Sequence, residues 1–368
     1  MGVSVSFLLI TLWVSMILPA MAHLEPTVNS YWATTTPNIN GVLAPGEWAD
    51  AAVRDFTLQM RSRGDGSLNR TLNGRMYVKN NYTSLFIAVQ IFNDYYLGQD
   101  FANNYTGLAV FFDNNHDGVL QVGENGEGVT TWVNSAFYSK NDLYYFGGGF
   151  WDADVNAGKT NDGSLGWNHT AYPTQGAIGN YTFEMMIPLV GTDGPNYDFA
   201  ITSLPKTVGF KIWLQEPAPG LDGVYPDDPS IPVNIQEIAN ATTFGDLIIH
   251  PLYTLTIVTT AGGTTNPAPG AYQYGFGTVV SVQANPGLGY QFDHWELDIV
   301  NVGSANPYSV TMDQNHTLKA FFVPKPQAPV GGISFSFAEK TPMSPLAGYS
   351  AIFGIFTVAT VLVKRKRR

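Results

Sequence analysis

Cysteine is absent from the whole chain of 368 residues. That excludes disulfides, thiolate metal sites and a cysteine nucleophile. Stability outside a cell would have to come from cores, glycans or bound ions. Cationic residues are scarce as well. Lys and Arg number 18 against 29 Asp and Glu, and five of the 18 are the final five positions, leaving 13 elsewhere. With so little to neutralise phosphates, nucleic acid is excluded as a partner. The acidic balance suits cation binding and keeps a surface protein soluble. No H-E-x-x-H, G-x-S-x-G or glycine-rich phosphate loop occurs, so the known catalytic spacings are missing. The six histidines, His23, His116, His169, His250, His294 and His316, are scattered. Two carboxylates that meet only in space could still serve glycoside hydrolysis. The reading is nevertheless a binder and not an enzyme. Long apolar runs are missing too, except at the two ends.

At the C-terminus, Pro345–Val363 is an uncharged, mostly apolar run of nineteen residues, followed at once by Lys364-Arg365-Lys366-Arg367-Arg368. At about 1.5 Å per residue it spans a bilayer core. The basic cluster holds residues 364–368 on the cytoplasmic side. At the N-terminus, Phe7–Leu18 is apolar and Ala20-Met21-Ala22 is an A-x-A site, which predicts a signal peptide over 1–22, although no Lys or Arg precedes the run. The expectation is a single-pass cell-membrane protein with its N-terminal ectodomain outside. The tail also resembles sorting-type C-termini, in which a lipid replaces the helix; no specific sorting signature is present, and the helix is taken as retained. Seven N-x-S/T sequons, Asn69, Asn81, Asn104, Asn168, Asn180, Asn240 and Asn315, mark surface positions for glycosylation. Asn-rich sequence without cysteine is compatible with an archaeal surface protein.

Between the ends the chain is mainly β. Short apolar or aromatic runs recur at Arg75–Lys79, Ser84–Asn93, Gly107–Phe112, Thr130–Tyr138, Tyr181–Pro188, Val208–Gln215 and Asp246–His250, separated by turn residues. Phe86, Ala88, Gln90 and Phe92 alternate with Leu85, Ile87, Val89 and Ile91. Many short strands and no helical stripe predict a jelly-roll-like antiparallel β-sandwich over 30–251. A small β-rich module follows over 253–323. Residues 324–344 are Pro/Gly/Ser-rich and read as a stalk. The span over 345–363 and the basic tail complete the chain.

Two resemblances carry names. Pro37-Asn38-Ile39-Asn40-Gly41, followed by Gly46-Glu47-Trp48-Ala49-Asp50-Ala51, resembles the opening of family-9-type carbohydrate-binding modules, the DOMON-like sandwiches. Leu85–Val89, Val110–Asp113 and Tyr181–Pro188 resemble that family's later strands. The likeness covers about 30–250 and implies a sandwich that binds sugar ends or other small ligands, though not every member binds carbohydrate. Trp48 is expected to plug the core and Glu47 to take a buried backbone donor. In the second module, Gly277-Thr278-Val279-Val280, Ala284-Asn285-Pro286, Gly289-Tyr290-Gln291-Phe292, His294-Trp295, Asn306-Pro307 and His316–Phe321 resemble the divergent internalin-B-type repeat, a spacer and adhesion unit of surface proteins. Tyr290, Phe292 and Trp295 are its expected core aromatics.

Asp113–Glu124 matches D-x-N-x-D-G-x5-E in full, the twelve-residue calcium loop. Asp113, Asn115 and Asp117 would converge on one ion, Gly118 would make the turn, and the Val119 carbonyl and Glu124 would complete an oxygen shell. The flanks are strand-like, so the loop would sit on a β-turn, and His116 is expected to point outward because calcium prefers oxygen. The same residues also read as an ordinary Asn/Asp/Gly turn. Asp152-Ala153-Asp154-Val155-Asn156 is a weaker stretch of the same kind.

For a sugar site the candidates are Trp132, Trp151 and Trp167 with Tyr144 and Tyr145, since aromatic faces stack on sugar C–H faces. Trp151 and Trp167 lie in apparent loops, where packing on the sandwich competes with recognition; Trp213 reads as core. Some DOMON-like relatives hold haem, but Met60, Met76, Met185 and Met186 come with no haem motif and read as core. The expectation is a calcium-stabilised sandwich recognising extracellular or envelope carbohydrate. A purely structural or adhesive envelope protein is the competing view, and a haem-binding redox protein a more distant one.

Overall fold

The computed structural model describes residues 26–95, 107–114, 116, 131–134, 137–138, 144–145, 163–172, 174, 176–191, 199–216, 220–228 and 241–326. The expected signal peptide, membrane span and basic tail lie outside them, as does the expected stalk beyond residue 326. Among the described residues no helix is long and apolar enough to cross a membrane. The chain divides into two compact units, Met1–Val323 and Pro324–Arg368, and both β modules belong to the first.

The first module comprises β1 (Thr27–Asn29), β2 (Tyr31–Trp32), β3 (Ala52–Ser62), β4 (Leu68–Asn80), β5 (Ser84–Tyr95), β6 (Gly107–Asp113), β7 (Thr131–Asn134), β8 (Phe137–Tyr138), β9 (Tyr144–Tyr145), β10 (Ser164–His169), β11 (Ile178–Pro188), β12 (Lys206–Glu216), β13 (Leu221–Tyr225) and β14 (Gly245–Ile249). One layer runs β3-β4-β5-β11-β10. The other is built on β12, with β6 and then β7 along one edge. On the opposite edge β14 pairs the first half of β12 and β13 the second. A two-residue pairing of β13 with β3 turns the sheet over into the first layer. The mainly β sandwich expected from the spacing of apolar runs is thus present. The only described helical piece is a 3-10 turn, Ala241–Thr243.

The core lies between the layers. Leu85, Ile87, Val89 and Ile91 of β5 face Val208, Phe210, Ile212 and Leu214 of β12 in one buried cluster, each at most 1% exposed. Burial of each such side chain contributes roughly 1.5–3 kcal/mol. Met60, Met76 and Met185 pack in the same cluster, as their core reading expects. One ionic group also ties the layers. Arg70 Nη2 of β4 lies 2.9 Å from Asp94 of β5, and 2.5 and 2.6 Å from the two carboxylate oxygens of Glu216 on β12. Burial, then the neighbouring Asp94, push the Glu216 carboxyl up to about 8 against the pull of Arg70.

The second module contains β15 (Tyr253–Thr259), β16 (Gly263–Asn266), β17 (Gly270–Tyr274), β18 (Val279–Pro286), β19 (Tyr290–Leu297), β20 (Val300–Gly303), β21 (Tyr308–Thr311) and β22 (His316–Pro324). A five-stranded sheet, β17-β15-β22-β19-β20, packs on a three-stranded one, β16-β18-β21. Trp295 is fully buried between them and Tyr290 and Phe292 pack around it, as their spacing predicts. His316 lies between Asp298 (2.6 Å) and Asp313 (2.8 Å). Burial alone would lower its pKa, but the two carboxylates outweigh burial and raise it.

The modules meet at His250, just after β14. Its ring stacks on Phe276 at 3.8 Å and 6°. Nδ1 pairs with the Tyr253 hydroxyl at 2.9 Å and Nε2 with Asn29 Oδ1 at 2.7 Å. Its backbone N–H donates to Ser30 Oγ and its carbonyl accepts from Asn80 Nδ2. Tyr31 also reaches Phe276, with ring centroids 6.3 Å apart. Burial lowers the His250 pKa to about 4. An unfolded histidine titrates near 6.5, so the unfolded chain takes up the proton first as pH falls. The stability held by neutral His250 is therefore complete above about pH 6.5 and lost progressively toward about pH 4, by about 3 kcal/mol. Unfolding curves of the full chain across that range should show the loss. His250→Gln should be less stable at neutral pH and show a shallower slope; an unchanged slope would remove His250 as its source.

Candidate functional site

Residues 33–51 form a cover over the outer face of β4, β5 and β11. Trp48, 5% exposed, packs there with Ala51, Phe86 and Ala88. The plug role expected of Trp48 holds, but that expected of Glu47 falls to another residue. Glu184 of β11, fully buried, accepts the Asn40 N–H (3.0 Å), the Gly41 N–H (2.7 Å) and the Trp48 indole N–H (2.7 Å). Burial raises its pKa and these donors oppose the rise. Glu47 Oε2 is buried without a partner, and it is the Glu47 carbonyl that serves, accepting from Lys79. Lys79 Nζ, itself fully buried, also reaches the Thr35 carbonyl (2.7 Å) and Asp50 Oδ1 (2.8 Å). Two glycines allow the close approach. Gly41 has φ +82°, and a Cβ there would lie 2.2 Å from the Trp167 carbonyl carbon; one at Gly166 would lie 2.4 Å from the Asn40 backbone.

The cover leaves the outer face of β3 and β4 open. A groove of about 580 Å³ is lined there by Arg54, Asp55, Thr57, Asn73, Arg75, Phe92 and Tyr225 among others. A second, of about 440 Å³, shares Arg54, Thr57 and Tyr225 and adds Pro26, Gln59, Pro226 and Asp227. Both volumes fall in the usual range for small-ligand sites. The Asp55 carboxylate is gripped by Arg75 at 2.5 and 3.0 Å, which lowers its pKa. The Tyr225 ring stacks on Phe56 at 4.7 Å and accepts the Arg54 Nε–H at its hydroxyl (3.1 Å). Gly74 makes room beneath, since a Cβ there would lie 2.3 Å from the Phe56 ring. Asp227 is the least satisfied group of the wall. Its Oδ2 lies 3.6 Å from Arg61 Nη2, while Oδ1 is buried with no hydrogen-bond partner. Burial raises its pKa against the pull of Arg61. None of these groove residues carries a sequence motif; they come from five separate stretches, at 26, 54–59, 73–75, 92 and 225–227.

The start of the predicted calcium loop adjoins this wall. Asp113, fully buried at the end of β6, accepts the His116 N–H at 2.7 Å. His116, with φ +64°, turns its Nε2 to Asp246 Oδ1 at 2.8 Å. The Asp246 N–H in turn donates to the Pro26 carbonyl at 3.1 Å, and Pro26 lines the groove. Asn115, Asp117, Val119 and Glu124 lie outside the described residues. Among the described residues no cluster of three or more metal-ligating side chains occurs.

The aromatic candidates scatter. Trp167 is not in a loop; it sits on edge strand β10 opposite Phe183, partly buried against the core and edge-on to Tyr172. Trp132 belongs to β7, and Tyr144 and Tyr145 to β9, a two-stranded pair with β8. Trp151 lies outside the described residues, as do Asn104, Asn240 and the Asp152–Asn156 stretch. Trp213 is buried as expected, with Phe111 and Phe244, and donates to Asp222 at 3.0 Å.

Removing the Glu184 carboxylate should release the cover. Glu184→Ala orphans two backbone donors and an indole, and should cost about 3 kcal/mol in denaturant unfolding. A loss below about 1 kcal/mol would mean the cover is held by its apolar contacts alone.

Residues 253–326 match the divergent InlB B-repeat domain family. No curated protein matches the chain significantly in sequence. Among solved structures, a family 9 carbohydrate-binding module from Caldicellulosiruptor kristjanssonii in complex with cellotriose is similar, with 11% identity and a TM-score of 0.39 over 61% of this chain and 94% of that one. A second structure, of a family 9 module from the same organism in complex with glucose, gives 12% identity and a TM-score of 0.39 over 61% of this chain and 96% of that one.

Proposed function

We propose that the chain is a cell-surface binding protein that takes carbohydrate in the groove around Arg54 and Tyr225. The C-terminal helix would anchor it in the membrane, and the repeat module would lift the sandwich from the surface. The observation that carries the reading is Asp227 Oδ1, a buried acceptor without a donor on the wall of an open groove. Such an atom costs about 1–3 kcal/mol until a donor arrives. A sugar hydroxyl is such a donor, and Gln59, Thr57, Asn73 and Arg54 line the same groove for its neighbours. The rings of Phe92 and Tyr225 offer apolar surface to sugar C–H groups. The mechanism is recognition: the groove binds and orients, and no residue is assigned to break a bond.

Calcium is proposed in the Asp113–Glu124 loop. The described part fits a hard cation: a buried carboxylate stands at the first position, and Asp246 draws the imidazole of His116 away. When bound, the ion would supply rigidity to the loop beside the groove.

Binding of the full-length chain to a panel of polysaccharides tests the reading. Asp227→Ala and Arg54→Ala should each weaken capture of the bound glycan about tenfold while the fold persists. Unchanged binding in both would displace the site. No binding to any glycan by a folded chain would favour a structural envelope role. For calcium, saturating the loop at about a hundred times its Kd should stabilise the chain by about 2.7 kcal/mol. Glu124→Gln should abolish most of that gain; an equal gain in the variant would rule out this loop.

A further inference from the structure

Five of the sequons have described surroundings, and those surroundings differ. Asn180-Tyr181-Thr182 runs within β11, with Tyr181 and Thr182 buried. Asn168-His169-Thr170 has its histidine buried and its Thr170 hydroxyl accepting the Asn180 N–H at 2.9 Å. Asn315 Oδ1 accepts the Thr254 N–H at 2.7 Å, and the next residue is the buried His316. Asn69 precedes Arg70, which is committed to Asp94 and Glu216.

Asn81-Tyr82-Thr83 instead forms the turn between β4 and β5. Asn81 Oδ1 accepts the Thr83 N–H (2.8 Å), the Thr83 hydroxyl (2.9 Å) and the Ser84 N–H (2.8 Å). Those three bonds fix the carboxamide and leave Nδ2 with no acceptor among the described residues. They also draw electron density toward Oδ1, which makes the Nδ2 protons easier to lose. Beside the turn lies an aromatic surface. Tyr82 is 59% exposed and meets Trp32 edge-on at 4.5 Å. Trp32 backs onto the repeat module, where a Cβ on Gly275 would stand 2.8 Å from its own Cβ.

We propose that Asn81 carries an N-linked glycan whose first sugars lie on the Tyr82–Trp32 surface and cover the seam between the sandwich and the repeat module. The inference rests on the exported, surface-exposed reading above. The donor would be an oligosaccharide linked through phosphate to a lipid. Asn81 Nδ2 attacks its anomeric carbon, the C–N bond forms as the C–O bond to phosphate breaks, the lipid phosphate leaves, and the amide gives up one proton. Aromatic faces beside the linkage then meet the sugar's C–H face.

The test compares the full-length chain made with and without N-glycosylation, for the unaltered sequence and for Tyr82→Ser, which keeps the sequon. Peptide mass mapping should find Asn81 occupied. The glycan should raise the melting temperature by about 2–4 °C in the unaltered chain and clearly less in Tyr82→Ser. An equal rise in both would overturn the stacking. A bare Asn81 with other sequons occupied would overturn this inference alone, whereas no occupied sequon would sink the exported reading and this inference with it.

Discussion

A carboxylate buried on the outer face of a sheet decides what surface this molecule shows. Glu184 sits where water is excluded, and burial raises its pKa. Three N–H groups from residues 40, 41 and 48 converge on it, from a stretch with no regular strand of its own. That convergence fixes residues 33–51 over Phe86 and Ala88, which would otherwise face solvent beside Met186. The same placement sets the limit of the cover. Further along the same outer face, Phe92 and the Asp55–Arg75 pair stay open, and the groove exists because the cover ends where it does.

This explains which parts of the architecture were readable in advance. β5 reads as an apolar run from Leu85 to Phe92, broken only by Gln90, because both of its faces are buried, the odd residues by the main core and Phe86 and Ala88 by the cover. β3 was invisible as a run. Its buried set is Phe56, Leu58 and Met60, and Asp55, Thr57, Gln59 and Arg61 stand between them on the open side. The alternation was there, but with so many polar residues it resembled a loop. Trp48 was legible as a plug because a tryptophan in a short motif has few other uses. Its partner was not, since Glu184 lies 136 positions away and nothing local distinguishes it from Glu47. Gly163–Trp167 read as a loop for its glycine content, yet Gly166 is small so that the Asn40 backbone can pass. The groove was the least legible part, because Arg54, Tyr225 and Asp227 become neighbours only when β13 pairs with β3.

The two modules are joined by packing of the kind found inside a domain. His250 uses both ring nitrogens, its backbone N–H and its carbonyl, and still offers a face to Phe276. A three-residue passage, His250 to Leu252, leaves little slack around those contacts. The repeat module carries the opposite electrostatic choice. His316 is favoured as a cation by Asp298 and Asp313, so its contribution is complete below the ordinary histidine pKa and lost as pH rises through its raised value. Losses from His250 on the acid side and His316 on the alkaline side leave the pair most secure between them.

The proposed calcium loop and the groove share Asp246, and magnitudes bound what that link could transmit. Asp246 bonds His116 within the loop and the Pro26 carbonyl on the groove wall. Each such bond is worth roughly 0.5–1.5 kcal/mol net, or somewhat more where charge assists. An ion that ordered the loop could pass to the groove no more than the free energy these bonds hold. That is on the order of tenfold in affinity, since 1.4 kcal/mol is a factor of ten. Under the proposed function, the groove's own unpaired acceptor and aromatic rings would therefore have to supply recognition. Calcium would tune the wall against which the ligand rests, and a groove that bound only with calcium present would need a ligand atom on the ion itself.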